Sequence, residues 1–175
     1  MESNAQTNKS SILEQFFVNC LQELYWSERH LVKVLDTMNS FATAENLKEV
    51  FMVHKEETEK QVQRLEEVFA HLELLPEARY CVGLQGLFDE GWKVIDETEA
   101  NSPQRDVALI IAAQKVEHYE IATYGSLMTL AKTMGRGKVA SILAPTLEEE
   151  KEADITLSAI AESGLNKEAT QDQTV

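Results

Sequence analysis

The chain of 175 residues is poor in the residues that interrupt helices, with only 7 glycines and 3 prolines. So few breakers leave little room for the many tight turns of an all-β fold, and apolar residues recur at three- and four-residue steps without sustained alternation. The expected class is all-α. Long apolar runs are missing as well: the longest, Val107 to Ala113, is far short of the ~20 residues that span a bilayer. The opening MESNAQTNKS lacks the basic and apolar regions of a secretory signal. Both features point to a cytoplasmic protein with no membrane partner. Cysteine is scarce, and Cys20 and Cys81 have neither metal-type spacing nor the numbers for a disulfide framework. Cys20 falls on an apolar face and reads as a buried structural thiol. Basic residues are outnumbered, 16 against 30 acidic ones, for a net charge of −14, which excludes nucleic acid as a direct partner. A phosphate-binding glycine loop, a nucleophile elbow and a zinc-type Cys/His array are also absent.

What is present is a series of long amphipathic segments. The first begins at a capping box, Ser11 with Glu14, carries Leu13, Phe17, Cys20, Leu24, Leu31 and Leu35 on one face, and runs to about Phe41. A second follows Thr43, with Leu47, Val50, Phe51, Leu65, Val68 and Leu72 before Pro76. A crossover then holds a shorter helix around Leu84, Phe88 and Ile95, in which Phe88 and Trp92 are expected to be exposed and able to form an interface. The third long helix starts with Ser102 as N-cap and Pro103 at the first helical position, and ends near Gly135. The fourth covers about Lys138 to Glu162, with Pro145 expected to kink or divide its first turns. This order predicts a four-helix bundle over residues 11–164 with one long crossover containing a short extra helix, flanked by polar tails at 1–10 and 165–175. A shift of 92 residues superposes the two helical pairs without a gap, placing Glu28 on Glu120, Glu57 on Glu149 and Leu65 on Leu157.

Acidic residues interrupt each apolar face. Glu28 lies between Leu24 and Leu31. His54, Glu57, Thr58 and Gln61 cross the second stripe, Glu117, Glu120 and Tyr124 the third, and Glu149 and Glu150 the fourth. An ionised carboxylate inside a bundle must be paired, protonated or bound to a cation. Several at one depth favour divalent iron or manganese, two ions bridged by carboxylates. A salt-bridged or protonated polar core is the alternative. His54 and His118 read equally as ligands or supporting groups, His30 and His71 as surface residues, and Tyr119 and Tyr124 as packing residues with tethered hydroxyls.

Three segments carry a family resemblance: His54 to Glu66, Ala112 to Gly125 and Thr146 to Asp154. They resemble the YciE/YciF group of bacterial ferritin-like, rubrerythrin-related proteins over roughly residues 11 to 165. The resemblance implies a ferritin-like bundle, an association with stress responses and a homodimer. The wider superfamily binds two iron or manganese ions through a glutamate from each of two helices and a Glu-x-x-His pair from each of the others. Transferred by position, the ligands are Glu28, Glu57, Glu120 and Glu149, but Lys60 and Glu152 occupy the histidine positions. His54, Gln61, Glu117, Glu150 and Asp154 are the residues left to compensate. Ferroxidase or peroxidase chemistry is the activity this implies. The rival is a catalytically inactive bundle acting through dimerisation or a protein partner.

Overall fold

The computed structural model describes residues 11–171, so the tail expected over residues 1–10 lies outside the described part. Among the described residues six α-helices are present: α1 Ile12–Phe41, α2 Glu45–His71, α3 Val82–Glu97, α4 Pro103–Thr133, α5 Gly137–Ile160 and α6 Asn166–Gln171. Helices α1 and α2 form one hairpin and α4 and α5 the other. Packing runs cyclically, with α1 against α2, α2 against α5, α5 against α4 and α4 against α1. This is the expected ferritin-like bundle with its long crossover, and α3 lies outside it, against α4 and α1.

The helix starts follow the sequence signals. Ser11 and Glu14 make both bonds of a capping box, and the Ser102 side chain accepts from the Arg105 N–H. Helix α2 starts at Ala44, which has no capping side chain. Asp106 from the first turn of α4 takes that role, accepting from the N–H groups of Thr43 and Ala44 at 2.7 and 2.8 Å. This contact fixes the starts of α2 and α4 at the same end. The crossover therefore spans the bundle's length, and α2 and α4 run parallel on a diagonal.

Three expectations change. Helix α5 runs unbroken through Pro145. Its ring is exposed beside buried Thr146 and Leu147, so packing holds the helix while the exposed face tolerates a lost hydrogen bond. Within the tail expected over residues 165–175, a turn at Gly164 (φ 153°) leads into α6 and Leu165 is buried in the core, while residues 172–175 lie outside the described part. Phe88 is also buried, and Trp92 is half-buried against the same core, so neither offers an exposed interface. Four residues apart, on successive turns of α3, they share its inward face.

The core has two apolar clusters. One contains Leu35, Leu47, Phe51, Leu109 and Leu157, and the other Phe17, Leu21, Leu65, Phe69 and Leu143. Along each long helix the polar interruption falls between the two. Cys81 is buried whereas Cys20 is only half-buried, the reverse of the emphasis expected from helix periodicity.

Candidate metal centre

Each helix carries its polar residues into the layer by its own periodicity. Helix α1 brings Glu28, one turn from Leu24 and Leu31. Helix α2 brings His54, Thr58 and Gln61, spaced to share one face with Phe51 and Leu65. Helix α4 contributes Glu117, Glu120 and Tyr124, and α5 contributes Thr146 and Glu150. All of these side chains are buried, with Glu28, Glu120 and Glu150 at 0% exposure and His54 at 3%.

His54 reaches across the α2–α4 diagonal, its Nε2 3.2 Å from Glu117 Oε2 and 3.6 Å from Glu150 Oε2. One ligand atom from each of His54, Glu117, Glu120 and Glu150 lies within 4.8 Å of the others, a separation that a metal ion can bridge. The Tyr124 hydroxyl donates to Glu28 Oε1 at 2.5 Å, and Gln61 Nε2 donates to Glu150 Oε1 at 2.5 Å. Despite these bonds, eight buried polar atoms make no hydrogen bond: both His54 ring nitrogens, both Glu120 oxygens, and one oxygen each of Glu28, Gln61, Glu117 and Glu150, although His54 Nε2 and Glu117 Oε2 attract each other as charges. Among the described residues, every such orphan lies in this layer. Orphaned buried atoms are costly, and their concentration at one depth fits a cation site.

The electrostatics express the same strain. Burial pushes the Glu28 carboxyl up to about 7, against the opposing bond from Tyr124. Burial and then the charges of Glu28, Glu150 and Glu117 hold Glu120 well above the carboxylate range. Glu150 is raised for the same first reason, opposed by His54. Burial also works against ionising Glu117 and His54, yet their mutual attraction lowers the carboxyl and raises the imidazole. Without a metal, these shifts favour an ion pair between His54 and Glu117 and the protonated forms of Glu120 and Glu150.

The two glutamates taken from the repeat for α2 and α5 sit at the layer's margin. Glu149 turns outward to Arg64, with Oε2 to Nη1 at 2.5 Å and Oε1 to Nη2 at 2.6 Å, and receives a further bond from Gln61. Glu57 is a third exposed, with Oε2 3.7 Å from His54 Nδ1. Lys60 and Glu152 are exposed, so the missing histidines correspond to positions outside the core. The true inner pairs under the 92-residue shift are Glu28 with Glu120, His54 with Thr146 and Thr58 with Glu150, all buried. The hairpins preserve burial while exchanging chemistry, so α2 places its ligand candidate four residues earlier than α5.

The remaining candidates fall elsewhere. Asp154 accepts from Gln114 outside the layer. His118 is exposed, with Nδ1 3.0 Å from the Gln114 carbonyl. Both tyrosine hydroxyls are tethered, Tyr124 to Glu28 and Tyr119 to Cys81 Sγ at 3.1 Å. Among the described residues no helix is long and apolar enough to cross a membrane.

Residues 12–170 match the family model DUF892, described as a domain of unknown function. The chain is 43% identical over 158 residues to Protein YciF of Escherichia coli K12, covering 90% of this chain and 95% of that protein. The crystal structure of the E. coli stress protein YciF superposes with a TM-score of 0.84 at 42% identity, over 90% of this chain and 99% of the other. YcfI from Rhodopseudomonas palustris gives 0.82 at 33%, over 87% and 96%. A protein from Xanthomonas campestris gives 0.68 at 22%, over 94% and 100%, and shares the fold.

Proposed function

The chain belongs to the DUF892 family, and we propose that it is a ferritin-like stress protein holding two divalent ions, iron or manganese, in its bundle core. The observation that carries this reading is the single layer of orphaned buried ligand atoms from Glu28, His54, Glu117, Glu120 and Glu150. Four carboxylates and one imidazole form an oxygen-rich set that suits Fe(II) or Mn(II). Their four negative charges, with His54 neutral, match two divalent cations. The stress association follows YciF, which that protein's description calls a stress protein. The expected setting is the cytoplasm and the expected assembly a homodimer.

Bound ions of this kind would supply one-electron redox capacity, the basis for Fe(II) oxidation or use of a peroxide. The chain's own residues do the holding. Glu28 is oriented by the Tyr124 hydroxyl and Glu150 by Gln61, so two of the carboxylates are fixed before any ion arrives. The apolar clusters on both sides exclude water from the layer. Glu57 and Glu149, the ligands that the superfamily pattern implies, are partly exposed and face His54 and Arg64.

Elemental analysis of protein purified without chelators, followed by an Fe(II) oxidation assay, tests the proposal. Two ions per chain, lost when Glu28 and Glu120 are replaced by Ala, is the expected result. Absence of stoichiometric metal, or unchanged binding in that variant, would favour the non-catalytic reading in which dimerisation or a protein partner is the activity. Exposed Val53 and Ile155, 51% and 59% accessible, supply apolar surface for that alternative.

A further inference from the structure

The metal reading, on which this inference rests, leaves a question of access, because apolar clusters close the layer at both ends. A groove of about 430 Å³ lies between α2 and α5. Its walls include Val50, Val53 and Ile160. Its charged residues are Glu49, Glu57 and Glu152, and no lysine or arginine lines it. Carboxylates on low-dielectric walls concentrate cations at such a mouth. An acidic groove alone would carry little, but its inner wall is His54, 3% exposed and without a hydrogen-bond partner on either ring nitrogen.

The orientation of that ring is informative. His30 and His118 each place Nδ1 near the carbonyl four residues earlier, at 2.7 and 3.0 Å, the usual tether for a helical histidine. His54 makes no such bond. Its Nδ1 side faces Glu57 at 3.7 Å, while Nε2 faces Glu117 and Glu150 in the core. The residue therefore bridges the groove and the buried carboxylates. The equivalent margin glutamate on α5, Glu149, is neutralised by Arg64, and Gln61 fills the space between it and Glu150. Of the two margins, only the one at Glu57 carries a carboxylate without a salt bridge to a lysine or arginine.

We propose that the α2–α5 groove is the port through which divalent cations enter and leave the core, with Glu57 taking the ion at the mouth and passing it to His54. Glu49 and Glu152 raise the local cation concentration. The ligand class is a hydrated divalent metal ion, and no bond other than metal–ligand bonds is exchanged.

Stopped-flow uptake of Co(II), followed by its absorbance, and its release to excess chelator test the port in the full-length protein. Replacing Glu49 and Glu152 together by Gln should slow uptake about tenfold at low salt and flatten its salt dependence. Glu57→Gln should slow uptake and release by the same factor, the signature of a gate, whereas loss of an equilibrium ligand speeds release. Glu99→Gln, an exposed control outside the groove lining, should change neither. Unchanged rates in both groove variants, or faster release from Glu57→Gln, would overturn the port. Failure of the parent protein to take up Co(II) at equilibrium would instead overturn the metal reading beneath it.

Discussion

His54 on α2 and Glu117 on α4 meet across the bundle's diagonal, Nε2 to Oε2 at 3.2 Å, both almost fully buried. Each is the other's main compensation, since the imidazole is raised by this carboxylate and the carboxylate is lowered by this imidazole. Truncating one partner of a buried pair strands the other. His54→Ala should therefore destabilise the metal-free protein by about 3 kcal/mol at neutral pH. The loss should shrink as pH falls, because a Glu117 stripped of the imidazole is left with burial, which favours its protonated form. Urea unfolding of the single variants and of His54→Ala/Glu117→Ala measures the coupling, and the double variant should lose less than the sum of the two.

The pH dependence of the metal-free protein should be inverted relative to that of the loaded one. Glu28, Glu120 and Glu150 have raised carboxyls, so the folded state holds more protons than the unfolded state above pH 4.5. Their stabilising contribution is complete below that value and is lost as pH rises through the folded pKa, about 7 for Glu28. His54, also raised, acts in the same direction above 6.5. Glu117 and Glu149 are lowered, and their contribution is lost only as pH falls below 4.5. Between pH 5 and 8 the raised groups dominate, and Glu28 alone accounts for about 3 kcal/mol. Thermal melts in chelator should show Tm falling across this window. With excess Mn(II), which displaces the protons, Tm should rise.

The helices were legible in the sequence because their signals are local. The Ser11–Glu14 box, Ser102–Pro103 and Gly135 mark ends within a residue or two of those found. The Glu28–Glu120 pair was legible too, lying between apolar neighbours one turn away on each side. What periodicity could not resolve was the phase of α2 and α5 within their runs of acidic residues. At 100° per residue, a shift from Glu149 to Glu150 separates the margin from the core, and both letters are the same. The discriminating signal was Arg64, whose guanidinium fixes Glu149 outside, a contact between helices that no single stripe contains. Thr146 and Thr58 offered a second clue, since small polar residues matched His54 and Glu150 under the repeat.

Removing a carboxylate from the layer should trade function for stability. Glu120 has neither oxygen bonded and is raised first by burial and then by its acidic neighbours. Glu120→Leu replaces a strained acid with an apolar side chain in an interior already built for them. Metal-free stability at pH 8 should increase by on the order of 1–4 kcal/mol, with a smaller gain at pH 5. Metal stoichiometry, measured by elemental analysis, should fall in the same variant.

Two glycines of α3 should respond oppositely to the same substitution. A Cβ on Gly86 meets nothing within 4 Å, so Gly86→Ala should gain roughly 0.5–1 kcal/mol from helix propensity. A Cβ on Gly83 would lie 2.8 Å from Tyr119 Cε2. The ring would have to move, breaking the contact between Tyr119 and Cys81. Gly83→Ala should show no gain, and the Cys81 thiol should react faster with a thiol reagent.

Adjacent glutamates on α5 give the sharpest separation of ligand from margin. Glu149 is a quarter exposed, and its charge is already matched by Arg64, so Glu149→Gln removes a partly solvated ion pair worth about 1 kcal/mol or less. Metal stoichiometry should remain at the parent value. Glu150 is fully buried, with one oxygen held by Gln61 and the other unpartnered, 3.6 Å from His54. Glu150→Gln keeps the shape but removes a negative charge from the ion's immediate surroundings. Affinity should fall by more than about tenfold. Titration of both variants with Mn(II) decides between the registers: loss of binding in Glu149→Gln with retention in Glu150→Gln would return the site to the register of the bare repeat. The opposite pattern ties the layer to His54, Glu117, Glu120 and Glu150, because among the described residues only that set brings one ligand atom from each member within 4.8 Å of the others.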